Sequence, residues 1–150
     1  MNTRRSQGHG RVMAFDWGLR NIGVAVGNRL LGTSEPLTTV KARDGIADWQ
    51  AIAALLEEWQ PECLVVGEPL NMDGSEAEIT PRARKFSRQL QGRFGVSVEL
   101  IDERLSSHEA KLQARDSGHR GDYRNNPIDA HAAHIILQTW LANRHNSDDR

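Results

Sequence analysis

The sequence contains few of the features that define a disulfide scaffold or a membrane span. Its 150 residues include one cysteine, Cys63, which lies in the apolar run CLVVG. A single thiol cannot form an internal disulfide, so we expect Cys63 to be a small buried residue in a reducing, cytoplasmic setting. No apolar run approaches the roughly 18 residues that cross a bilayer, and we therefore expect no membrane partner.

An excess of charge of one sign is also missing. Lysine and arginine number 19 against 20 for aspartate and glutamate, which gives a formal net charge of −1. Such a chain has no overall field that would attract a polyanion, so nucleic-acid binding would have to depend on local charge. Aromatic residues make up 5% of the chain and do not alternate with its arginines, which favours recognition of a nucleic-acid backbone over base stacking.

The features that are present predict one α/β domain, 1–150, with flexible tails at about 1–10 and 143–150. Short apolar and β-branched runs predict a hairpin over 12–27, a third strand over 30–40, and later strands over 62–67 and 96–101. Helical spacing predicts helices over 44–60, 80–94 and 106–115, and a last helix from about 127. This order indicates a mixed five-stranded sheet flanked by helices.

Acidic residues follow several of these strands or open the last helix. Ligands of open α/β sheets gather at the carboxyl ends of strands, which makes these acids candidate site residues. Each alone could equally be a turn, ion-pair or helix-cap residue. Together they would repel one another unless a hard cation such as Mg²⁺ or Mn²⁺ lay between them, as in metal-dependent nucleases. The candidates are Asp16, Glu68, Asp102, Glu103 and Asp129.

Local positive charge is concentrated on the helix predicted over 80–94. A row of this kind favours sequence-independent binding of backbone phosphates, although a merely solvated basic face has the same composition. The loop 71–75 before it could order on such a backbone, and Gly18 and Gly23 beside Asp16 could leave room for a phosphate. The basic residues are Arg82, Arg84, Lys85, Arg88 and Arg93, with no acid among them.

Other common catalytic patterns are weak. His131 and His134 are three residues apart on a predicted helix, but no third nitrogen or sulfur ligand has a suitable spacing for zinc. Neither a G-x-S-x-G motif nor a partnered cysteine indicates a nucleophile. The opening D-x-G hairpin is also typical of sugar kinases and actin-like ATPases, which need two such domains around a nucleotide.

Four segments in this order resemble the YqgF/RuvX family: FDWGLRNIGVAVGN, VVGEPLNMDGSE, ARKFSRQLQGRFGVSVELIDERLSSHEA and DAHAAHIILQTWL. The resemblance implies a ribonuclease H-like fold, related to that of RuvC-type resolvases. It implies a nuclease that trims the 5′ end of precursor 16S rRNA, or, by older naming, a Holliday junction resolvase.

The resemblance also implies roles for single residues. Asp16, Glu103 and Asp129 match the family's acids and would form a core that binds Mg²⁺ or Mn²⁺, with Asp102 as a further catalytic candidate. Apart from the resemblance, we expect Arg104 to join the basic helix in holding backbone phosphates. The family usually has an apolar residue at the position of Glu68, which leaves that acid a secondary candidate.

These observations lead to a hypothesis with stated alternatives. We expect a metal-dependent endonuclease acting on structured nucleic acid, with precursor rRNA as first substrate and branched DNA as second. A non-catalytic rRNA-binding module that retains the acids is the third interpretation. The sequence allows a monomer or a homodimer.

Overall fold

A computed structural model describes residues 9–105 and 127–148 of the chain. The strands in these ranges are β1 (Arg11–Asp16), β2 (Asn21–Asn28), β3 (Thr33–Arg43), β4 (Ile46–Ala47), β5 (Cys63–Glu68) and β6 (Ser97–Asp102). The helices are α1 (Trp49–Trp59), α2 (Thr80–Phe94) and α3 (Pro127–Asp148), and a short 3-10 turn occupies Glu103–Leu105.

The strands form one mixed sheet in the order β4-β3-β2-β1-β5-β6. The pairs from β1 to β4 are antiparallel, whereas β5 is parallel to β1 and β6 is parallel to β5. The carboxyl ends of β1, β5 and β6 therefore lie along a single edge, which is where open α/β sheets bind ligands. The predicted α/β class and mixed sheet are confirmed, with six strands instead of five.

The additional strand lies in a segment that we predicted to be helical. Asp44 and Gly45 have positive φ angles of 49° and 82° and form the turn between β3 and β4. Asp-Gly is a preferred sequence for such a two-residue hairpin turn. Helix α1 starts only at Trp49, where the carboxylate of Asp48 accepts a hydrogen bond of 3.2 Å from the amide of Ala51. The predicted helix start at Asp44 is therefore wrong by about one turn.

The other helices lie close to their predicted positions. Helix α2 ends at Phe94, and Gly95 follows in the left-handed conformation with φ of 66°, as expected for a glycine stop. Helix α3 begins at Pro127 and continues to Asp148, through a segment that we expected to be a tail. The helix predicted over 106–115 lies outside the described residues.

Helices cover both faces of the sheet. Helices α1 and α2 bury one face, where Met13 and Phe15 of β1 join the same core as Phe86 of α2. The rings of Phe15 and Phe86 meet edge to face with centroids 5.8 Å apart. Helix α3 buries the other face, where it packs on Val12 and Ala14. The alternation of strand side chains thus assigns each residue of β1 to one helical layer.

Cys63 is a free, buried thiol in β5, as predicted. Burial is the main cause that raises the pKa of this thiol to about 11, and the neighbouring Glu99 carboxylate raises it further. The group therefore stays protonated and packs as a small apolar residue. In the part of the chain that the structure describes, no helix has both the length and the apolarity to cross a membrane.

Candidate metal and nucleic-acid site

Asp16 is the last residue of β1 and is half-buried at the ligand-binding edge of the sheet. It follows Val12 and Ala14 at intervals of two residues, so its side chain lies on the face that α3 covers. Asp16 pairs with Gly23 on β2. On the other side, Phe15 pairs with Val66 of β5, which places Gly67 next to Asp16. Two glycines therefore flank the carboxylate on the neighbouring strands.

Gly23 allows the first turn of α3 to rest directly on β2. A Cβ atom at this position would overlap the backbone oxygen of Asp129. The close approach brings Asp129 to the strand residue that pairs with Asp16. We expected Gly23 to leave room for a phosphate, but the structure uses the space for helix–sheet packing.

Gly67 leaves space on β5 for the side chain of the third acid, Glu103. A Cβ atom on Gly67 would lie 2.9 Å from Oε1 and 3.0 Å from Cγ of Glu103. The side chain of Glu103 therefore extends over β5, toward the strand that carries Asp16. The same hypothetical atom would lie 2.6 Å from Cδ1 of Ile136 in α3, so Glu103 is on the α3 face.

Asp16, Glu103 and Asp129 thus lie on one face, around the end of β1. Burial raises the pKa of Asp129, and the positive charge of Lys41 opposes this shift. Three carboxylates are an all-oxygen donor set, which suits Mg²⁺ or Mn²⁺. Within residues 9–105 and 127–148, no three His, Cys, Asp or Glu side chains already stand close enough together to hold a metal ion. The donor chemistry fits such a metal, and side-chain rotation would be needed to close the set around it.

The other two predicted acids lie on the opposite face. Glu68 and Asp102 are register partners on β5 and β6, each one residue out of phase with the α3-facing positions. The carboxylate of Glu68 accepts a hydrogen bond of 2.6 Å from Nε of Arg84, and Nη2 of Arg104 lies 2.6 Å from Oδ2 of Asp102. The structure therefore does not bring Glu68 or Asp102 to Asp16.

Helix α2 carries the predicted basic row on the face opposite α3, and protein contacts engage much of it. Arg84 bridges Glu68 and Glu76, the latter at 3.0 Å. Arg82 lies over the Trp17 ring and Arg93 over that of Trp49, with guanidinium-to-centroid distances of 5.5 and 4.3 Å. Lys85 and Arg88 are exposed and have neither an ion pair nor a ring contact with a described residue.

The loop 71–75 is held by its own hydrogen bonds. The Gly74 amide donates to the Asn71 carbonyl at 2.9 Å, and the Ser75 amide donates to the carboxylate of Asp73 at 2.9 Å. Arg104 reaches the backbone oxygen of Met72 at 3.4 Å while it pairs with Asp102. This loop is therefore already structured beside Arg104.

The histidine pair does not form a zinc site with other described residues. The rings of His131 and His134 are 6.2 Å apart, and no third ligand joins them in the described ranges. Nδ1 of His134 lies 3.2 Å from Oγ of Ser34, and burial lowers the pKa of this histidine. The arrangement is that of a packed, hydrogen-bonded side chain.

Two cations on the face of the carboxylates were not predicted from the sequence as site residues. They are Lys41 and Arg43, which are both exposed on β3. The available signal was the period-two pattern of TVKAR at the end of β3, which sets both cations on one face and Val40 and Ala42 on the other.

Comparisons with known proteins agree with this architecture. A family model described as the RuvX Holliday junction resolvase matches residues 10–143. A Chromohalobacter salexigens protein named "Putative pre-16S rRNA nuclease" is 60% identical, with 87% of this chain and 88% of that protein covered. A Marinobacter nauticus protein of the same name is 52% identical, with 89% and 93% covered.

Solved structures share the fold at much lower identity. RuvC from T. thermophilus, in complex with a Holliday junction substrate, matches with a TM-score of 0.55 and 16% identity over 91% of this chain and 96% of RuvC. The Fowlpox virus resolvase bound to Holliday junction DNA matches with a TM-score of 0.54 and 14% identity over 89% and 97%. The family match and the two close relatives together show that the chain belongs to the RuvX family, with a ribonuclease H-like fold.

Proposed function

We propose that this RuvX-family chain is a divalent-metal-dependent endonuclease that processes the 5′ end of precursor 16S rRNA. The observation that carries the proposal is the pair of glycines beside Asp16. Gly23 admits the first turn of α3, and Gly67 admits the side chain of Glu103. The names of the close relatives, and the family description as a resolvase, support a phosphodiester-cleaving activity.

The residues that would hold Mg²⁺ or Mn²⁺ are Asp16, Glu103 and Asp129. When bound, such an ion lowers the pKa of a coordinated water and stabilises negative charge that develops at a phosphate. The protein's own contribution is to fix two of the carboxylates on rigid elements, the end of β1 and the first turn of α3. Burial raises the pKa of Asp129, so the positive charge of a bound ion would favour the ionised form that the ligand role requires.

The predicted phosphate contacts would come from α2 and Arg104. The amino-terminal half of α2 lies near the end of β5, since Arg84 contacts Glu68 there. Lys85 and Arg88 are exposed and available for backbone phosphates, and Arg82, Arg84 and Arg93 would need to exchange a protein contact for such a role.

The test is a cleavage assay on a precursor 16S rRNA leader transcript with Mg²⁺, Mn²⁺ or EDTA. Asp16→Asn should abolish cleavage without changing the melting temperature by more than a few degrees, because it removes charge and keeps shape. Glu58→Gln, which neutralises an exposed carboxylate on α1, is the matched control and should cleave normally. Full activity of Asp16→Asn would refute the site.

Branched DNA is a second candidate substrate, since the family description names a Holliday junction resolvase. A four-way DNA junction in the same assay separates the two substrates. Symmetric resolution of a junction needs a two-fold dimer, so a strictly monomeric protein would argue against that function. Binding of the rRNA leader without metal-dependent cleavage would instead indicate a non-catalytic module.

A further inference from the structure

The end of β3 carries two exposed cations that face the carboxylates. In the register of β2 and β3, Gly23 pairs with Thr39 and Asn21 pairs with Lys41. Because strand side chains alternate, Lys41 and Arg43 lie on the same face as Gly23, which is the face of α3. Both side chains are exposed, whereas the intervening Ala42 packs toward the other core.

These cations lie next to the proposed metal site. Thr39, which precedes Lys41 on the same face of β3, pairs with Gly23. Gly23 in turn contacts the backbone of Asp129, one of the proposed metal ligands. The two positive charges therefore border the carboxylates on the β3 side of the sheet.

The same cations have no ion pair with a described acid. Arg84, Arg104, Arg29 and Arg144 are each within 4.0 Å of a carboxylate oxygen, but Lys41 and Arg43 are not. Exposed cations of this kind can bind an external anion, such as a backbone phosphate. Lys41 and Arg43 are about 7 Å apart along an extended strand. An extended polyanion fits this geometry better than a small nucleotide.

We propose that Lys41 and Arg43, which we name the β3 track, bind backbone phosphates of RNA that flank the phosphate to be cleaved. The track extends the proposed function and rests on it, because a substrate would reach these cations only if it binds beside Asp16, Glu103 and Asp129. It lies on the α3 face, whereas the basic helix α2 lies on the opposite face. The substrate backbone would therefore enter along β3.

The test measures binding of a labelled precursor 16S rRNA leader transcript as a function of salt, in the Asp16→Asn background so that cleavage does not intervene. Lys41→Gln with Arg43→Gln should weaken binding about tenfold or more at low salt and lower the slope of log affinity against log salt by about 1.4 to 1.8. Arg43→Lys should retain most of the slope, because the contact is with a phosphate and not with a base.

The matched control removes two charges elsewhere. Arg29→Gln with Arg144→Gln changes net charge equally, at residues that pair with Glu62 and Glu99 instead of bordering Asp16. Circular dichroism melting confirms that both double variants fold. An equal loss of slope in the two double variants would overturn the proposal, as would a loss seen with a four-way DNA junction and not with RNA. A wild-type protein that binds RNA through the track but does not cleave it would refute the proposed catalysis and leave the track standing.

Discussion

Gly23 carries no side chain, and the backbone of Asp129 occupies the space that a methyl group would need. Gly23→Ala should therefore push the first turn of α3 away from β2. We expect the free energy of unfolding to fall by about 1–3 kcal/mol, as in other overpacked contacts, and cleavage to fall with it because Asp129 moves. Urea denaturation and the rRNA cleavage assay measure the two effects.

Gly92→Ala is the matched control for this substitution. Gly92 lies in α2, and a Cβ atom there would meet nothing within 4 Å. Alanine favours a helix over glycine by up to about 1 kcal/mol, so this variant should be as stable as the wild type or more so. Equal stability of the Gly23 and Gly92 variants would contradict the close contact between α3 and the sheet.

Glu68 shows at the same scale what a sequence pattern can and cannot assign. Its position after a buried strand made it a candidate ligand, yet its side chain faces α2 and pairs with Arg84. Whether an acid at a strand end points toward one face or the other depends on the register with β1, and the register is a tertiary property. The pairing with Arg84 and, through it, Glu76 gives this acid a structural role in holding the loop between β5 and α2.

At the scale of elements, the segment between β3 and α1 contains two aspartates, and only one of them caps the helix. Helical spacing made Asp44 the expected cap, but Asp48 caps α1 through its hydrogen bond to the Ala51 amide. Asp48→Ala should therefore lower the free energy of unfolding by about 1 kcal/mol, which is typical of a lost helix cap. Asp44→Asn should leave it nearly unchanged, because asparagine tolerates the left-handed conformation. Thermal or urea unfolding would refute the assignment if the two effects were reversed.

The elements themselves were mostly predictable because their signals are local. The stripe of Ala83, Phe86 and Leu90 indicates α2, and all three side chains are buried. The turn at Asp44 and Gly45 was missed because helical spacing of later apolar residues masked a strong hairpin signal. Local patterns thus predict which elements form. Where two patterns compete at a boundary, tertiary packing decides where the element begins.

At the scale of the whole molecule, the site depends on contacts that no local pattern contains. Asp129 contacts the strand residue that pairs with Asp16, because the first turn of α3 rests on a glycine of β2. Family resemblance supplied the three acids, whereas the sequence alone could not separate them from Glu68 and Asp102. The topology supplies the separation, since parallel strands with known register divide these acids between two faces.

The same topology buries the carboxylate of Asp129, and this burial should lower the stability of the metal-free protein in a way that depends on pH. Burial raises the pKa of Asp129, so the folded, metal-free protein prefers the protonated form more than the unfolded chain does. The resulting stability is fully present below the ordinary aspartate pKa of about 3.9 and is lost as pH rises through the higher folded value.

Asp129→Asn, which has no charge to bury, should therefore raise the melting temperature in EDTA at neutral pH. The advantage should shrink as the pH falls toward about 4. Mn²⁺ should reverse the order, because only the wild type gains a ligand that binds the folded state. Glu58→Gln on the surface of α1 should show neither effect. If Asp129→Asn melted below the wild type in EDTA at neutral pH, burial of the Asp129 carboxylate would not be destabilising the metal-free protein.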